Sequence, residues 1–151
     1  MIEVESRVVI ERPVDEVFAF VADQTNAPRW QQGLVEVRRT TEGPIGVGTR
    51  HTAVRQFLGR KMELTNEYVG FEPNERVTFE ADSGSMRLEA SYLTEAVPRG
   101  TQLTCRMLIE PRGPMRLLQP LVARGMRKES AADDRTLKEL LESEPGASPG
   151  P

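Results

Sequence analysis

The feature that most constrains the fold is a long stretch of period-two alternation, from residue 34 to residue 110. Apolar and polar residues alternate there in short runs, which is the pattern of β-strands with one buried face. Segments that contain glycine or proline separate the runs, as turns do between antiparallel strands. The stretch therefore predicts six antiparallel strands, and the alternation of residues 3–11 predicts a seventh.

Two short helices are predicted between the first strand and the others. Apolar residues recur at helical spacing over about residues 13–22, and Pro13 is suited to the first turn of that helix. Asn26 is expected to cap a second, shorter helix that accepts Pro28 in its first turn and carries Trp30. The chain therefore begins as a strand followed by two short helices.

The C-terminal part of the chain has a helical pattern from about residue 115 to residue 142. Pro120 predicts a bend there, either as a kink or as the end of a short preliminary turn, because a proline inside a helix removes a hydrogen bond. Residues 144–151 are rich in proline and glycine and have nothing to bury, so they are expected to form a disordered tail. Residues 1–143 are expected to form a single domain.

Composition narrows the classes of partner. The formal net charge of −3 gives no overall electrostatic reason to expect nucleic acid, and no apolar run is long enough to span a membrane. Cys105 is the single cysteine and His51 the single histidine, so we expect no intramolecular disulfide and no transition-metal site. We also expect no cofactor. Cys105 should be a buried, protonated thiol rather than a nucleophile. With no secretory leader recognised, a cytoplasmic location is expected.

Short motifs in a fixed order make the chain similar to a known superfamily. These motifs are Ile10-Glu-Arg-Pro13 with Val17-Phe18, Asp23 and Trp30, then Gly46-Val-Gly-Thr-Arg50, Phe71-Glu-Pro73, Gly100-Thr101, Pro111-Arg-Gly-Pro114 and Leu137-Lys-Glu-Leu-Leu141. Through them the chain resembles the START/Bet v 1-like (SRPBCC) superfamily, and more narrowly its bacterial polyketide cyclase/dehydrase-like branch.

This resemblance implies an α+β helix-grip fold, in which a curved seven-stranded antiparallel sheet, two short helices and a long C-terminal helix enclose a cavity. It also implies that the cavity accepts an apolar or aromatic small molecule, lipid-like or polyketide-like. Such folds also serve aromatase/cyclases and protein-interaction modules, so the fold alone does not choose a function. A binding protein, a polyketide cyclase/dehydratase and an interaction module are therefore the three hypotheses, and homodimerisation is left open.

His51 and Arg55 are the candidate catalytic residues. They lie two positions before and after Ala53 on one face of a predicted strand, and the resemblance implies that this face lines the cavity. The imidazole has a suitable pKa for a general base, and a guanidinium can stabilise an enolate oxygen. The alternatives are a histidine that only packs at the cavity mouth and an arginine that pairs with a surface carboxylate.

The candidate ligand-binding residues are those that alternation, helical spacing or the resemblance places on the inner face. Core packing is the alternative role for the aromatic members of this set. The candidates are Trp30, Phe57, Asn66, Tyr68, Phe79, Met86, Tyr92, Met107, Leu121 and Met126.

A group of basic residues surrounds the first half of the predicted long helix. Its members are Arg112, Arg116, Arg124, Arg127 and Lys128. The ordinary interpretation is a solvated helical face, and the alternative is contact with an acidic partner or a membrane surface.

Overall fold

The computed structural model describes residues 1–57, 59–84 and 86–143, with only the backbone of Phe57 included. Within these residues, seven strands, two α-helices and two 3-10 helices follow one another. They are β1 (Ile2–Ile10), α1 (Val14–Ala22), the 3-10 helix η1 (Gln24–Arg29), β2 (Leu34–Arg39), β3 (Arg50–Phe57), β4 (Arg60–Glu72), β5 (Arg76–Asp82), β6 (Met86–Val97), β7 (Gly100–Pro111), the 3-10 helix η2 (Gly113–Leu118) and α2 (Gln119–Ser143).

The seven strands form one antiparallel sheet in the order β1-β7-β6-β5-β4-β3-β2. Strands β2 to β7 are a meander of successive neighbours, whereas β1 crosses the length of the chain to pair with β7. The fold predicted from alternation and resemblance is thus confirmed. The register keeps one set of alternate side chains on the side where the helices pack.

The two short helices differ in detail from the prediction. Helix α1 begins at Val14, and Pro13 is its extended N-cap. The second helix is of the 3-10 type and is capped by Asp23, not by Asn26. The Asp23 carboxylate accepts a hydrogen bond from the backbone N–H of Thr25 at 3.0 Å. The Asn26 amide instead donates to the carbonyl of Phe20, which removes it from the capping position.

The predicted C-terminal helix is divided in two. The short turn η2 precedes α2, and Pro120 lies in the first turn of α2. A backbone N–H at that position would have no acceptor within the helix, so proline costs no hydrogen bond there. Of the two predicted roles for Pro120, the end of a preliminary turn is the one observed. Residues 144–151, the predicted tail, lie outside the described residues.

The sequence predicts that Gly59 and Arg60 are the two central residues of a hairpin turn, because glycine at the first of these positions accepts a positive φ. The observed turn is displaced from this position by one residue. Phe57 pairs with Arg60, so Arg60 already belongs to β4. Gly59 has a φ of +76°, which glycine adopts without the steric penalty of a side chain. The pairing still keeps Arg55 and Ala53 on the side predicted for them, because the alternation within β3 is unchanged.

The corner after β1 joins three of the sequence motifs. Gly100, with a φ of +142°, approaches this corner so closely that a Cβ would lie 2.3 Å from the carbonyl oxygen of Ile10. Thr101 donates its hydroxyl to the carbonyl of Arg12 at 2.7 Å. The Arg12 guanidinium in turn donates to the carbonyl of Leu141 at 2.8 Å and to that of the next residue at 3.4 Å. The corner therefore fixes the C-terminal end of α2.

The buried side chains form three clusters between the sheet and the helices. One lies under α1 and the last turns of α2 and includes Phe79 and Leu137. Another lies under the first half of α2 and includes Val122 and Met126. A small third cluster, which includes Ala53, joins η1 to β2 and β3. Together they leave a space near the middle of the sheet.

Candidate functional site

A cavity of about 90 Å³ lies where the three core clusters meet. Strands β3 to β7 form one wall, and η1 and α2 form the opposite side. Most of the side chains around it are apolar, which is typical of sites for small organic molecules. The lining residues are Gln24, Ala27, Gln31, Leu34, Ala53, Arg55, Met62, Leu64, Asn66, Phe79, Ala81, Ser83, Met86, Leu88, Ala90, Tyr92, Met107, Ile109, Val122 and Met126.

Seven of the candidate site residues line this cavity. They come from β3, β4, β5, β6, β7 and α2, so residues far apart in sequence meet at one space. The seven are Arg55, Asn66, Phe79, Met86, Tyr92, Met107 and Met126.

The remaining candidates for ligand contact lie elsewhere. The side chain of Phe57 is outside the described part of the structure. Trp30 packs on Tyr92, with ring centroids 5.8 Å apart, and faces a second, polar pocket. Tyr68 is fully buried and donates its hydroxyl to the carbonyl of Ala22, and burial raises the pKa of its phenol well above the ordinary range. Tyr68 is therefore a core residue.

The structure contradicts the prediction that Leu121 contacts a ligand. It is 52% exposed, whereas Val122 beside it is 1% exposed and lines the cavity. A helix turns 100° per residue, so the inward face of α2 passes through Val122 and Met126 and leaves Leu121 on the side that faces solvent. The placement of Leu121 on the inner face is therefore wrong, because the buried face of the helix begins at Val122.

His51 lies in the core and not on the cavity wall. Its side chain is fully buried, and its ring stacks on Tyr68 with centroids 5.3 Å apart. Neither ring nitrogen has a hydrogen-bond partner among the described residues. Burial lowers the pKa of the imidazole, with a smaller opposing effect of Asp23, so the neutral form is favoured. A base at this position has no contact with the contents of the cavity.

Arg55 faces the cavity and is paired with a carboxylate from α2. Its guanidinium donates to Glu129, and the two side chains are only 15% and 18% exposed. The same nitrogen lies 3.7 Å from the sulfur of Met126. A Cβ at Gly33 would lie 2.7 Å from a carboxylate oxygen of Glu129, so the backbone of Gly33 covers the pair. The partner of Arg55 is thus a largely buried helix residue and not the surface carboxylate considered above.

A second space of about 40 Å³ adjoins the first and is called here the polar pocket. It shares Arg55, Tyr92 and three other residues with the main cavity. Burial raises the pKa of Asp133 to about 6, although the backbone N–H of Gln32 donates to its carboxylate at 3.2 Å. The lining residues are Trp30, Gln31, Arg55, Tyr92, Cys105, Met107, Met126, Glu129, Ser130, Asp133 and Asp134.

Asp134 and Cys105 face each other inside the polar pocket. The thiol donates to an oxygen of Asp134 at 3.8 Å, and burial raises the pKa of both groups. Cys105 is therefore held in its protonated form, as expected for a buried cysteine that is not a nucleophile. Ser130, one helical turn before Asp134, shares a hydrogen bond of 3.0 Å with Ser6 of β1.

Amide side chains supply further polar groups on the cavity wall. Gln31 donates to the hydroxyl of Tyr92 at 2.8 Å. Asn66 and Gln24 exchange hydrogen bonds of 2.8 Å and 3.4 Å, which leaves each amide with one N–H and one lone pair for another partner. Burial also raises the pKa of the Tyr92 phenol far above its usual value, so its hydroxyl stays neutral.

Sequence reasoning missed the acidic residues of α2 and the glutamines of η1 and its C-terminal flank. A signal for the first set was present, because Ser130, Asp133 and Asp134 lie at helical spacing between Met126 and Leu137, which are both buried. Charged residues in such a stripe are normally read as solvent-facing. The two glutamines follow no periodic pattern, so only the folded arrangement identifies them.

Among residues 1–57, 59–84 and 86–143, no group of three or more His, Cys, Asp and Glu side chains is arranged to hold a metal ion. Within the same ranges, no helix has the length and apolar character needed to cross a bilayer.

Comparison with known proteins gives one family match. A family model described as "Polyketide cyclase / dehydrase and lipid transport" matches residues 1–142. An uncharacterised protein of Mycobacterium tuberculosis is 28% identical over 122 residues, a match that covers 76% of this chain and 71% of that protein. The family match thus extends over nearly the whole chain.

Solved structures show the same fold at low sequence identity. A Thermus thermophilus protein, TTHA0849, is similar with a TM-score of 0.80 and 21% identity, over 94% of this chain and 99% of the other. The Zhui aromatase/cyclase of a Streptomyces species is similar with a TM-score of 0.78 and 17% identity, over 99% and 98% of the two chains. At 21% and 17% identity, these matches show that the folds are similar and nothing further.

Proposed function

The chain belongs to the polyketide cyclase/dehydrase and lipid transport family, and from this premise we propose that it binds an apolar or aromatic small molecule in its main cavity. The observation that carries the proposal is the cavity itself, an apolar space between sheet and helix with a few polar groups on its wall. Burial of apolar ligand surface there would contribute about 25 cal/mol per Å² before the costs of association.

The size of the cavity is informative about how a ligand would fit. About 90 Å³ is well below the several hundred Å³ that sites for drug-sized molecules occupy. Four of the six methionines line the space, namely Met62, Met86, Met107 and Met126. Methionine side chains are flexible and adopt new rotamers at low energetic cost. A ligand larger than the present space would therefore be accommodated by movement of these side chains.

The polar groups on the wall suggest how the ligand would be oriented. Along β3 and β4 the register pairs Arg55 with Met62 and His51 with Asn66, so Arg55 and Asn66 are separated by four residues of strand. Four residues of strand span about 13 Å. Ala53 and Leu64 provide an apolar surface between the two polar ends. This arrangement favours an elongated ligand with a hydrogen-bonding group near each end.

Binding is favoured here over catalysis by His51. The cyclase hypothesis requires a base that contacts the substrate, and the imidazole is fully buried behind the wall. Arg55 is on the wall, but Glu129 already neutralises its charge, which weakens it as a site for an enolate. The hypothesis of a protein-interaction module concerns the outer surface and makes no use of the cavity.

The test is a titration of the purified protein with 1-aminoanthracene, a fluorescent apolar aromatic probe. We expect saturable binding to the native protein. Ala90, 2% exposed and on the wall, is replaced by phenylalanine to fill the cavity, and Ala96, exposed on the same strand, receives the same change as a control. Ala90→Phe should abolish binding, and Ala96→Phe should leave it unchanged.

A second variant separates loss of binding from loss of folding, since overpacking a core destabilises a protein by about 1–3 kcal/mol. Met107→Ala enlarges the cavity instead of filling it and should retain or tighten probe binding. Circular dichroism reports whether each variant is folded. Equal binding by folded Ala90→Phe and by the native protein, or no binding by the native protein, would contradict the proposal.

A further inference from the structure

Three leucines are exposed where η2 leads into α2. Leu117 is 85% exposed, Leu118 41% and Leu121 52%. Large apolar side chains scattered singly over a surface are common, but three within five residues form a concentrated apolar surface. We call this group the leucine patch.

The charge of the surrounding segment is opposite to that of the protein. Residues 111–128 contain five basic residues and no acidic one. The chain as a whole has 20 basic and 23 acidic residues, so the remainder has 15 basic against 23 acidic residues and a formal charge of −8. The positive charge is therefore concentrated around the leucine patch.

Helical geometry places leucine and cations on the same face. Leu121, Arg124 and Lys128 are spaced i, i+3 and i+7 along α2, a spacing that aligns side chains along one side of a helix. All three are exposed. Val122 and Met126, which line the cavity, are on the inward side of the same turns. One stretch of helix thus has an apolar-basic outer face and a cavity-lining inner face.

Most of these cations have no carboxylate partner among the described residues. In the part of the chain that the structure describes, no carboxylate forms an ion pair with Arg116, Arg124 or Lys128. Arg127 donates to the backbone carbonyl of Glu3, at 3.5 Å, and not to a carboxylate in the described ranges. Arg112 is the exception, because it pairs with Asp82 at 2.8 Å. The outer face therefore retains its positive charge.

We propose that the leucine patch and the cations around it dock the protein on the surface of an anionic lipid bilayer. The leucines would enter the boundary between headgroups and acyl chains, and the cations would contact anionic headgroups. A protein partner fits less well, because protein interfaces are enriched in tryptophan, tyrosine and phenylalanine, and residues 111–128 contain none of these. The docking does not depend on whether the cavity is occupied.

The test is flotation of the protein with two kinds of vesicle. One kind is phosphatidylcholine alone, and the other is an equal mixture of phosphatidylcholine and phosphatidylglycerol. We expect binding to the mixed vesicles at low salt, little binding to the neutral ones, and weaker binding as salt screens the charges. Free phosphatidylglycerol headgroup, added as glycerol phosphate, should not compete, because it offers no apolar layer for the leucines.

Substitutions locate the contact. The double variant Arg124→Gln/Lys128→Gln should lower the partition coefficient by about 30-fold, since each cation near an anionic surface contributes about fivefold. Its control, Arg76→Gln/Arg99→Gln, removes the same charge from two exposed positions in or next to turns at the opposite end of the sheet and should have little effect.

The leucines are tested in the same assay. Leu117→Ser/Leu121→Ser should also lower partitioning by more than tenfold, because apolar area is no longer buried in the bilayer. The control Val35→Ser/Val47→Ser changes exposed apolar residues outside the patch.

Three results would overturn the proposal. They are no binding to the mixed vesicles, equal binding to neutral and mixed vesicles, and unchanged binding of both patch variants. If an acidic protein bound the patch while vesicles did not, the same conclusion would follow. Because these variants leave the cavity wall intact, titration with the aromatic probe remains an independent test of ligand binding.

Discussion

Asp133 allows a quantitative test of the polar pocket. Asp133 is 7% exposed, and burial raises the pKa of its carboxyl from the ordinary 3.8 to about 6, with a smaller contribution from Glu129. The folded state therefore holds the proton more tightly than the unfolded state. The stabilisation from this group is complete below about pH 4 and is lost as the pH rises through 6. At pH 7.5 the charged carboxylate thus opposes folding.

The variant Asp133→Asn removes this titration while it keeps the side-chain oxygen that accepts from the Gln32 N–H. The difference between 3.8 and about 6 corresponds to about 3 kcal/mol. We expect Asp133→Asn to raise the free energy of unfolding by up to that amount at pH 7.5 and to change it little at pH 3.5. In a chain of this length the gain corresponds to about 6–12 °C in Tm.

The assay is urea unfolding of the native and variant proteins from pH 3.5 to 7.5, followed by circular dichroism. Glu139→Gln is the matched control, since Glu139 is an exposed carboxyl on the same helix and its removal should change stability by less than about 0.5 kcal/mol. The reasoning is refuted if Asp133→Asn is no more stable than the native protein at pH 7.5, or if the difference between them is the same at both ends of the range.

Two further predictions concern positions outside the polar pocket. Gly100→Ala should destabilise the protein by about 3 kcal/mol or more in thermal unfolding, because a Cβ would meet the backbone of β1 at a positive φ. Gly46→Ala, where no atom lies within 4 Å of the added Cβ, should be nearly neutral, and similar losses for both would contradict this account. His51→Leu should be at least as stable as the native protein at pH 8, because it removes a buried imidazole without hydrogen-bond partners. Burial lowers the pKa of His51, so stability from its neutral form is lost as the pH falls below 6.5, and the advantage of the variant should grow towards pH 5. A loss of more than about 2 kcal/mol at pH 8 would show that the imidazole makes a bond.

The strand part of the fold and much of the cavity wall were predictable from the sequence. Side chains alternate strictly along a strand, so a run such as Met62 to Asn66 identifies its inward face once the turn positions are known. Phe79, Met86, Tyr92 and their neighbours were placed by the same rule. An error of one residue in the hairpin turn at Gly59 left these faces unchanged, because each strand keeps its own alternation.

The helical part was less predictable, for a geometric reason. Neighbouring residues on a helix differ by only 100°, so the edge of a buried stripe is poorly defined, as Leu121 and Val122 illustrate. The local sequence also does not show which residue caps η1, because Asp23 and Asn26 are both suitable N-cap residues. They are distinguished by the bond that Asn26 forms with the carbonyl of Phe20 in the folded chain. The ion pair between Arg55 and a residue of α2 depends on tertiary contact alone.

The corner after β1 has a consequence for the rate at which the cavity exchanges its contents. At the C-terminal end of α2, Arg12 and Lys138 form bonds of 2.8 Å and 2.7 Å to main-chain carbonyls. Near its N-terminal end, the bonds of Gln119 and Arg127 to carbonyls are 3.4 Å and 3.5 Å long. Opening of the first turns of α2 therefore breaks longer, weaker hydrogen bonds to main-chain carbonyls than detachment of its last turns does. We expect amide protons of the first turns to exchange faster, and molecules to enter and leave the cavity without unfolding of the domain.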